Sequence, residues 1–391
     1  MYTKTYSYGK QCISKEDIDA VSEVLVSEWL TQGPQIEQFE LELNKKFNAN
    51  FSTAVSSGTS ALHLVALALG WKKNDVVITS PMTFLASANC ILYAGATPDF
   101  VDIDPIYYTI DINKLEDKIK YYQSKNKRVK AIVAVDFAGQ PCHWYDLRMI
   151  ANKYELQLVD DACHALGTIY RNNIGYAPYY ADAVVLSFHP VKHVTTGEGG
   201  AILTNSEELN QKIKILRTHG ITKDPALMEK NEGPWYYEMV DLGFNFRITD
   251  FQCALGISQL KKLDNFIKKR RFIAEYYNLN LINSDTFILP KELGEGKHSY
   301  HLYPLQIKFD KQCCSKNDLF ERLRKKNIKL QVHYIPVHMQ PYYKKLFGFK
   351  KGDLPIAEEF YSREVSIPIY PSLQEEDLYY ISQCIKEAIN R

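Results

Sequence analysis

The apolar positions of the chain fall into two rhythms, one of helical spacing and one of short continuous runs. Behind Ser14-Lys15-Glu16-Asp17, which has the form of a capping box, Ile18, Val21, Val24 and Leu25 recur on one helical face and predict a helix reaching about Leu30. Thr31-Gln32-Gly33-Pro34 interrupts it, and Ile36, Phe39, Leu41 and Leu43 predict a second amphipathic helix ending at Phe47. Further on, short apolar runs at 76–79, 98–103, 131–135, 156–160, 183–188 and 201–204 read as strands. The segments 59–69, 84–93, 113–123 and 144–154 read as helices. Apolar strands alternating with helix-length segments predict an α/β fold, with a mainly parallel central sheet covered by helices on both faces.

Past Arg217 the pattern turns irregular through Gly233-Pro234, as a surface loop would. Asn245 and Arg247 then stand just ahead of a long helix running to about Arg271, with Thr249 as its cap. That helix is expected to lead from a large domain, 1–250, into a small α+β domain, 251–391. The latter holds an apolar stretch at 298–309, a helix after Ser315, a strand at 328–334, and helices at 357–363 and 375–390.

Composition works by exclusion. At 391 residues and 46% hydrophobic the chain can build a large core, and a net charge of +1 gives no electrostatic reason to expect nucleic acid or an anionic membrane as partner. No apolar run approaches the roughly 20 residues that cross a bilayer, and MYTKTYSYGKQ lacks the apolar core of a secretory signal, so a cytoplasmic protein is expected. The cysteines (Cys12, Cys90, Cys142, Cys163, Cys253, Cys313, Cys314, Cys384) are scattered without paired spacing, and are read as reduced thiols with no metal site. His189 and His193 flank Lys192 but are weak evidence for a metal.

Candidate chemistry gathers at the carboxyl ends of the predicted strands, where ligands of such sheets bind. That rule brings Thr83, Phe84, Asp136, Asp161 and Ser187 to one rim. In AVVLSFHPVKHVTTGEGGAILTN, Lys192 stands between two short strands. A lysine desolvated there can lose its proton and attack a carbonyl carbon to form a Schiff base; a surface lysine in a loop fits this segment equally well. LQLVDDACHA ends a buried strand in two aspartates, which need a cationic partner. SSGTSALHLVALAL puts Gly58, Thr59 and Ser60 at the mouth of an apolar helix, where free N–H groups and the helix dipole form an anion site. An amine nucleophile, a buried acid and a phosphate-sized cradle are the parts that hold pyridoxal 5'-phosphate (PLP). Phe84 could stack on such a ring or simply open a helix in the core, and TQGP could be a turn or an active-site wall.

With these residues in view the chain resembles, over essentially its whole length, the DegT/DnrJ/EryC1/StrS sugar aminotransferases among the fold-type I PLP enzymes. The resemblance is carried by WLTQGP, SSGTSALHL, SPMTFLASAN, DFAGQP, VDDACHALG, SFHPVKHVTTGEGG, GFNFRITDFQCALG and QVHYIPV in that order. It implies Lys192 as the Schiff-base lysine, Asp161 as partner of the pyridine nitrogen, His164 beside the phenolic oxygen, Thr59, Ser60 and Ser187 on the phosphate, and Phe84 on the ring. Asn245 matches a residue supplied to the phosphate by a neighbouring subunit, so a homodimer with a shared active site is implied. WLTQGP, SFHPVK and HYIPV look most like the branch that makes UDP-4-amino-4,6-dideoxy-N-acetyl-β-L-altrosamine on the way to pseudaminic acid. In that branch Tyr8, Glu28, Trp29, Leu30, Thr31, Gly58, His333 and Tyr334 would contact the nucleotide sugar, and L-glutamate would give the amine. Asp160 stands where many members have Glu, and Phe84 where some have Trp. Other UDP-, dTDP- or GDP-linked keto-sugars stay open as substrates. A sugar dehydratase of this fold would carry histidine in place of Lys192, a non-catalytic sugar-binding relative would have lost Lys192 or Asp161, and a desulfurase would need a reactive cysteine on a mobile loop.

Overall fold

The computed structural model describes residues 4–282, 285–312 and 314–390, so Cys313 lies outside the described residues. Its centre is a seven-stranded sheet: β1 (Phe51–Val55), β2 (Val76–Thr79), β3 (Thr97–Phe100), β4 (Val129–Val135), β5 (Gln157–Asp161), β6 (Ala183–Ser187) and β7 (Gly200–Thr204). In space the order is β1-β7-β6-β5-β4-β2-β3. Neighbours from β6 through β3 pair in parallel, whereas β7 runs antiparallel to both β6 and β1. The sheet is therefore mainly parallel, as the alternation of apolar runs and helices requires.

Helices α1 (Lys15–Leu25), α2 (Pro34–Phe47), α3 (Gly58–Ala68), α4 (Ala86–Tyr93), α5 (Ile112–Ser124), α6 (Trp144–Tyr154), α7 (Glu207–Arg217), α8 (Asp250–Leu260) and α9 (Leu263–Asn280) follow the predicted pattern. Successive residues of a strand point to opposite faces, and the core divides accordingly. Val184 and Leu186 pack with α2, α5 and α6, while Ala183 and Val185 pack with α3, α4 and α7. Both faces are thus sealed, and the polar ends of the strands are left as the place for chemistry.

Several boundaries differ from expectation. The first helix stops at Leu25, not Leu30, because Ser27 Oγ takes the Val24 carbonyl (2.8 Å) and closes the last turn. The single long helix is two, α8 and α9, with Thr249 and Gln252 forming the capping box of α8. Phe84 precedes its helix by two residues, and β3 ends at Phe100. Of the strand expected at 328–334, Ile328–Lys329 pairs in parallel with Tyr6–Ser7, and Gln331 makes an isolated antiparallel bridge with Ser366. The residues beyond it turn toward the sheet instead.

A second apolar core joins Ile273, Ala274 and Tyr277 of α9 to a three-stranded sheet of Phe287–Ile288, Tyr303–Ile307 and Glu364–Ile367. Cys253, Leu260 and Leu263 belong to the first core, so the cores change hands inside α9. Tyr6 belongs to the second core although it lies near the chain start. No helix among the described residues is long and apolar enough to cross a membrane.

Candidate active site

The carboxyl ends of β4, β5 and β6, the start of α3 and the segment 331–335 enclose a cavity of about 610 Å³. Lys192 reaches it from the link between β6 and β7. That link is a fixed arch: Phe188 N–H donates to Gly199 O (2.9 Å), Thr196 N–H to Phe188 O (3.0 Å), and Lys192 N–H to His189 O (2.9 Å). Burial pushes the Lys192 amine below the ordinary lysine value, opposed in part by Cys163 and Asp161. An amine so held gives up its proton more readily than a surface lysine, which favours the nucleophile over the loop-lysine reading.

Asp161, at the end of β5, lines the same cavity. Ser87 Oγ donates to one carboxylate oxygen (2.5 Å) and the Cys163 N–H to the other (3.2 Å). Ser87 in turn shares a hydrogen bond with Thr83 (2.6 Å), so α4 sets the carboxylate's angle. The neighbouring Asp160 points to the other face, fully buried, with neither carboxylate oxygen hydrogen-bonded among the described residues. Burial together with Asp136 and Asp161 pushes it well above the usual carboxylate range.

The helix start works as the dipole argument requires. Ser57 caps α3, its Oγ accepting from Ser60 N–H (3.0 Å), which leaves the Gly58 and Thr59 N–H groups without an acceptor inside the helix. A Cβ on Gly58 would stand 3.0 Å from Ser187 Cβ and 3.2 Å from Cys163 Sγ, so only glycine leaves this cradle open. The Ser60 hydroxyl is instead engaged with those of Ser56 (2.9 Å) and Ser57 (2.7 Å) and does not line the cavity.

His164 has both nitrogens in use. Nδ1 accepts the Ala138 N–H (3.2 Å), so the neutral ring carries its proton on Nε2 and donates it to Tyr334 Oη (3.0 Å). Burial and Lys192 hold His164 well below the usual histidine value. His333, pushed down to about 3 by burial and Lys192, is anchored to Ser366 Oγ (2.8 Å). Burial and the Asp161 charge push the Cys163 thiol far up, and a thiol kept protonated is a poor nucleophile.

Of the residues singled out from the sequence, Tyr8, Gly58, Thr59, Phe84, Asp161, His164, Ser187, Lys192, His333 and Tyr334 line this cavity. Glu28, Trp29, Leu30 and Thr31 do not; they lie exposed on a loop tied by Thr31 to Thr249 and by Leu30 O to Asp250 N–H (3.0 Å). Asn245 is also exposed and outside the cavity, in a bridge with Thr218. Thr83, expected at the rim, also lines the cavity, whereas Ser57, Cys163, Gln331 and His301 line it without having been singled out as site residues, although an N-cap search finds Ser57.

PLP fits this donor set. Its phosphate matches the open amides of α3 and the Ser187 hydroxyl, its pyridine nitrogen the carboxylate of Asp161, its aldehyde the Lys192 amine, and its ring the half-exposed face of Phe84. Fold and cavity together define a PLP-dependent aminotransferase. Comparison with known proteins narrows the class: the DegT/DnrJ/EryC1/StrS aminotransferase family matches residues 11–386, and the chain belongs to that family. It is 39% identical over 380 residues to a UDP-4-amino-4,6-dideoxy-N-acetyl-β-L-altrosamine transaminase of Campylobacter jejuni, covering 97% of this chain and 96% of that one. Among solved structures it resembles Helicobacter pylori PseC, an aminotransferase of pseudaminic acid biosynthesis, at 34% identity and a TM-score of 0.88 over 99% of both chains. It also resembles the PLP form of a putative sugar aminotransferase from Streptococcus pneumoniae, at 27% identity and a TM-score of 0.88 over 99% of this chain and 98% of that one.

Proposed function

We propose that this aminotransferase moves an amino group from L-glutamate to C4 of a UDP-linked 4-keto-6-deoxy-N-acetylhexosamine. The product would be UDP-4-amino-4,6-dideoxy-N-acetyl-β-L-altrosamine, destined for pseudaminic acid. The observation that carries the reading is that Lys192 and Asp161 line one cavity beside the open amides of α3, in a chain similar to a UDP-4-amino-4,6-dideoxy-N-acetyl-β-L-altrosamine transaminase and to an aminotransferase of pseudaminic acid biosynthesis.

When bound, PLP supplies an electron-withdrawing ring that stabilises negative charge on the carbon attached to the transferred nitrogen. The rest is the work of the chain. Lys192, whose hold on its proton burial weakens, would accept one from Cα of the donor and later return one to C4 of the sugar. Asp161, held by Ser87 and Cys163, would pair with the ring nitrogen. Gly58, Thr59 and Ser187 would hold the phosphate end, with Ser60 supporting the cap behind them. His164 would lie beside the phenolic oxygen, its proton directed at Tyr334. Tyr8, His333 and Tyr334 would meet the sugar on the small-domain side.

The exposure of Trp29 and Leu30 (52% and 48%), and of Glu28, Thr31 and Asn245, fits a homodimer in which these residues complete the partner's cavity. The setting would be the cytoplasm, where keto-sugar nucleotides and glutamate are both present.

The test is incubation of the PLP-loaded enzyme and glutamate with UDP-, dTDP- and GDP-linked 4-keto sugars, the product being identified by mass and NMR. The altrosamine derivative is expected from the UDP-linked N-acetyl sugar. A 3-amino product, or turnover of a GDP sugar alone, would remove the substrate assignment. Lys192→Ala should lose both the visible band of lysine-linked PLP and turnover; retention of that band would mean another lysine holds the cofactor.

A further inference from the structure

The cavity is short of positive charge. Among the described residues Lys192 is the only lysine or arginine in its lining, and its amine is committed to the chemistry. Yet both reactants of the proposed transfer are polyanions, one with two carboxylates and the other with a diphosphate. Carboxylates and phosphates are preferentially gripped by the planar fork of an arginine. A guanidinium from outside this cavity is therefore needed.

Arg247 is the unengaged candidate. The other half-buried arginines are occupied: Arg148 with Asp182, Arg217 with Glu40, Arg271 with Glu292, Arg363 with Glu359, and Arg322 with the Ala388 carbonyl. Arg247, equally half-buried, has no hydrogen-bond, ion-pair or ring partner among the described residues. Its position is fixed. Phe244 and Phe246 stack on each other (4.9 Å between centroids) and against His63 of α3, which anchors that side of the run. By the two-residue alternation of an extended chain, Asn245 and Arg247 occupy the opposite side. The run is clamped to the rim of the cavity by Ser56 N–H to Phe246 O (2.9 Å) and, beyond the helix start, by Gln252 Nε2 to Glu198 O (2.8 Å). Even so, Arg247 does not line its own chain's cavity.

We infer that Arg247 of one copy enters the cavity of a second copy and binds an anionic group of a reactant there, the donor's carboxylate or the sugar nucleotide's diphosphate. This rests on the aminotransferase reading and on the shared dimer. Asn245, expected to cross to the same partner, sits two residues away on the same side, so both would be delivered together.

The PLP-loaded Arg247→Ala enzyme should keep the visible band. Its KM should rise roughly tenfold to a hundredfold for one reactant, by the loss of a charged hydrogen-bonded pair. A rise for glutamate identifies the carboxylate, and a rise for the sugar nucleotide identifies the diphosphate. Arg247→Lys should recover part of the loss. Unchanged KM values for both reactants would overturn the inference. Hybrids decide which cavity is served. Lys192→Ala co-expressed with Arg247→Ala gives a mixed dimer with one intact site, so activity should return at reactant levels where either variant alone is poor. If that pair stays inactive while Lys192→Ala with Asn245→Ala recovers, the shared dimer stands and the role of Arg247 falls. If neither pair recovers, the shared site falls and the inference with it. The 4-keto-sugar panel on the unmodified enzyme tests the aminotransferase reading separately.

Discussion

Ser87→Ala tests whether Asp161 is an oriented group or merely a nearby charge. Ser87 sits on α4 and gives Asp161 its shortest hydrogen bond, 2.5 Å long; the Cys163 N–H donates at 3.2 Å. Truncation removes the shorter contact, leaves the fully buried position filled by a methyl group, and also strips Thr83 of its partner at 2.6 Å. A hydrogen bond to a charged acceptor contributes about 1.5–3 kcal/mol. At about 1.4 kcal/mol per tenfold, that is a roughly tenfold to hundredfold loss. The loss should appear in PLP affinity, read by titrating the visible band, and in kcat, because a carboxylate free to turn no longer faces the ring nitrogen in one orientation. The band itself should survive, since Lys192 is untouched. If Ser87→Ala binds PLP and turns over within about twofold of the unmodified enzyme, well below the loss expected of such a bond, the orientation argument is wrong.

Two further outcomes follow from buried charges elsewhere. Burial lowers the folded Lys192 value, while the unfolded chain keeps the ordinary 10.5, so between the two the unfolded state binds more protons and stability of the PLP-free protein rises with pH. Lys192→Met should abolish that rise; parallel melting curves for the two proteins across pH ~7 to ~10 would contradict it. Asp17, fully buried, ties α1 to α8 and the residues just after it through Lys262 (2.5 Å), Ser258 (2.7 Å) and Gln259 (2.8 Å). Asp17→Ala should cost about 3–5 kcal/mol, seen as a lower urea midpoint, and a loss under about 1 kcal/mol would show the network to be dispensable.

Much of this fold is legible in the sequence because its signals are local. Caps at Ser14, Thr249 and Ser315 mark helix starts, and Leu158 and Val159, or Val184 and Val185, announce strands sealed on both faces. Strand direction is not local: an apolar run looks the same either way, and the reversal of β7 is set by the short arch that carries Lys192. The segment after Lys329 reads as strand from Val332, His333 and Tyr334, but Met82 and His164 take Tyr334 toward the cavity. Ser87 was illegible for the same reason. Nothing within its helix shows that an aspartate 74 positions away will need it. Glu28–Thr31 and Asn245 could be placed only through the resemblance, since a single chain gives them no cavity of their own.

The wall of the cavity is assembled from widely separated parts of the polypeptide, Tyr8 ahead of the large sheet and Gln331 to Gln340 within the second core's portion of the chain. A nascent chain on the ribosome consequently holds its reactive lysine before it owns a finished chamber. An amino-terminal fragment ending before the last of these segments would carry Lys192, Asp161 and the open amides of α3, yet lack the wall that the sugar is proposed to meet.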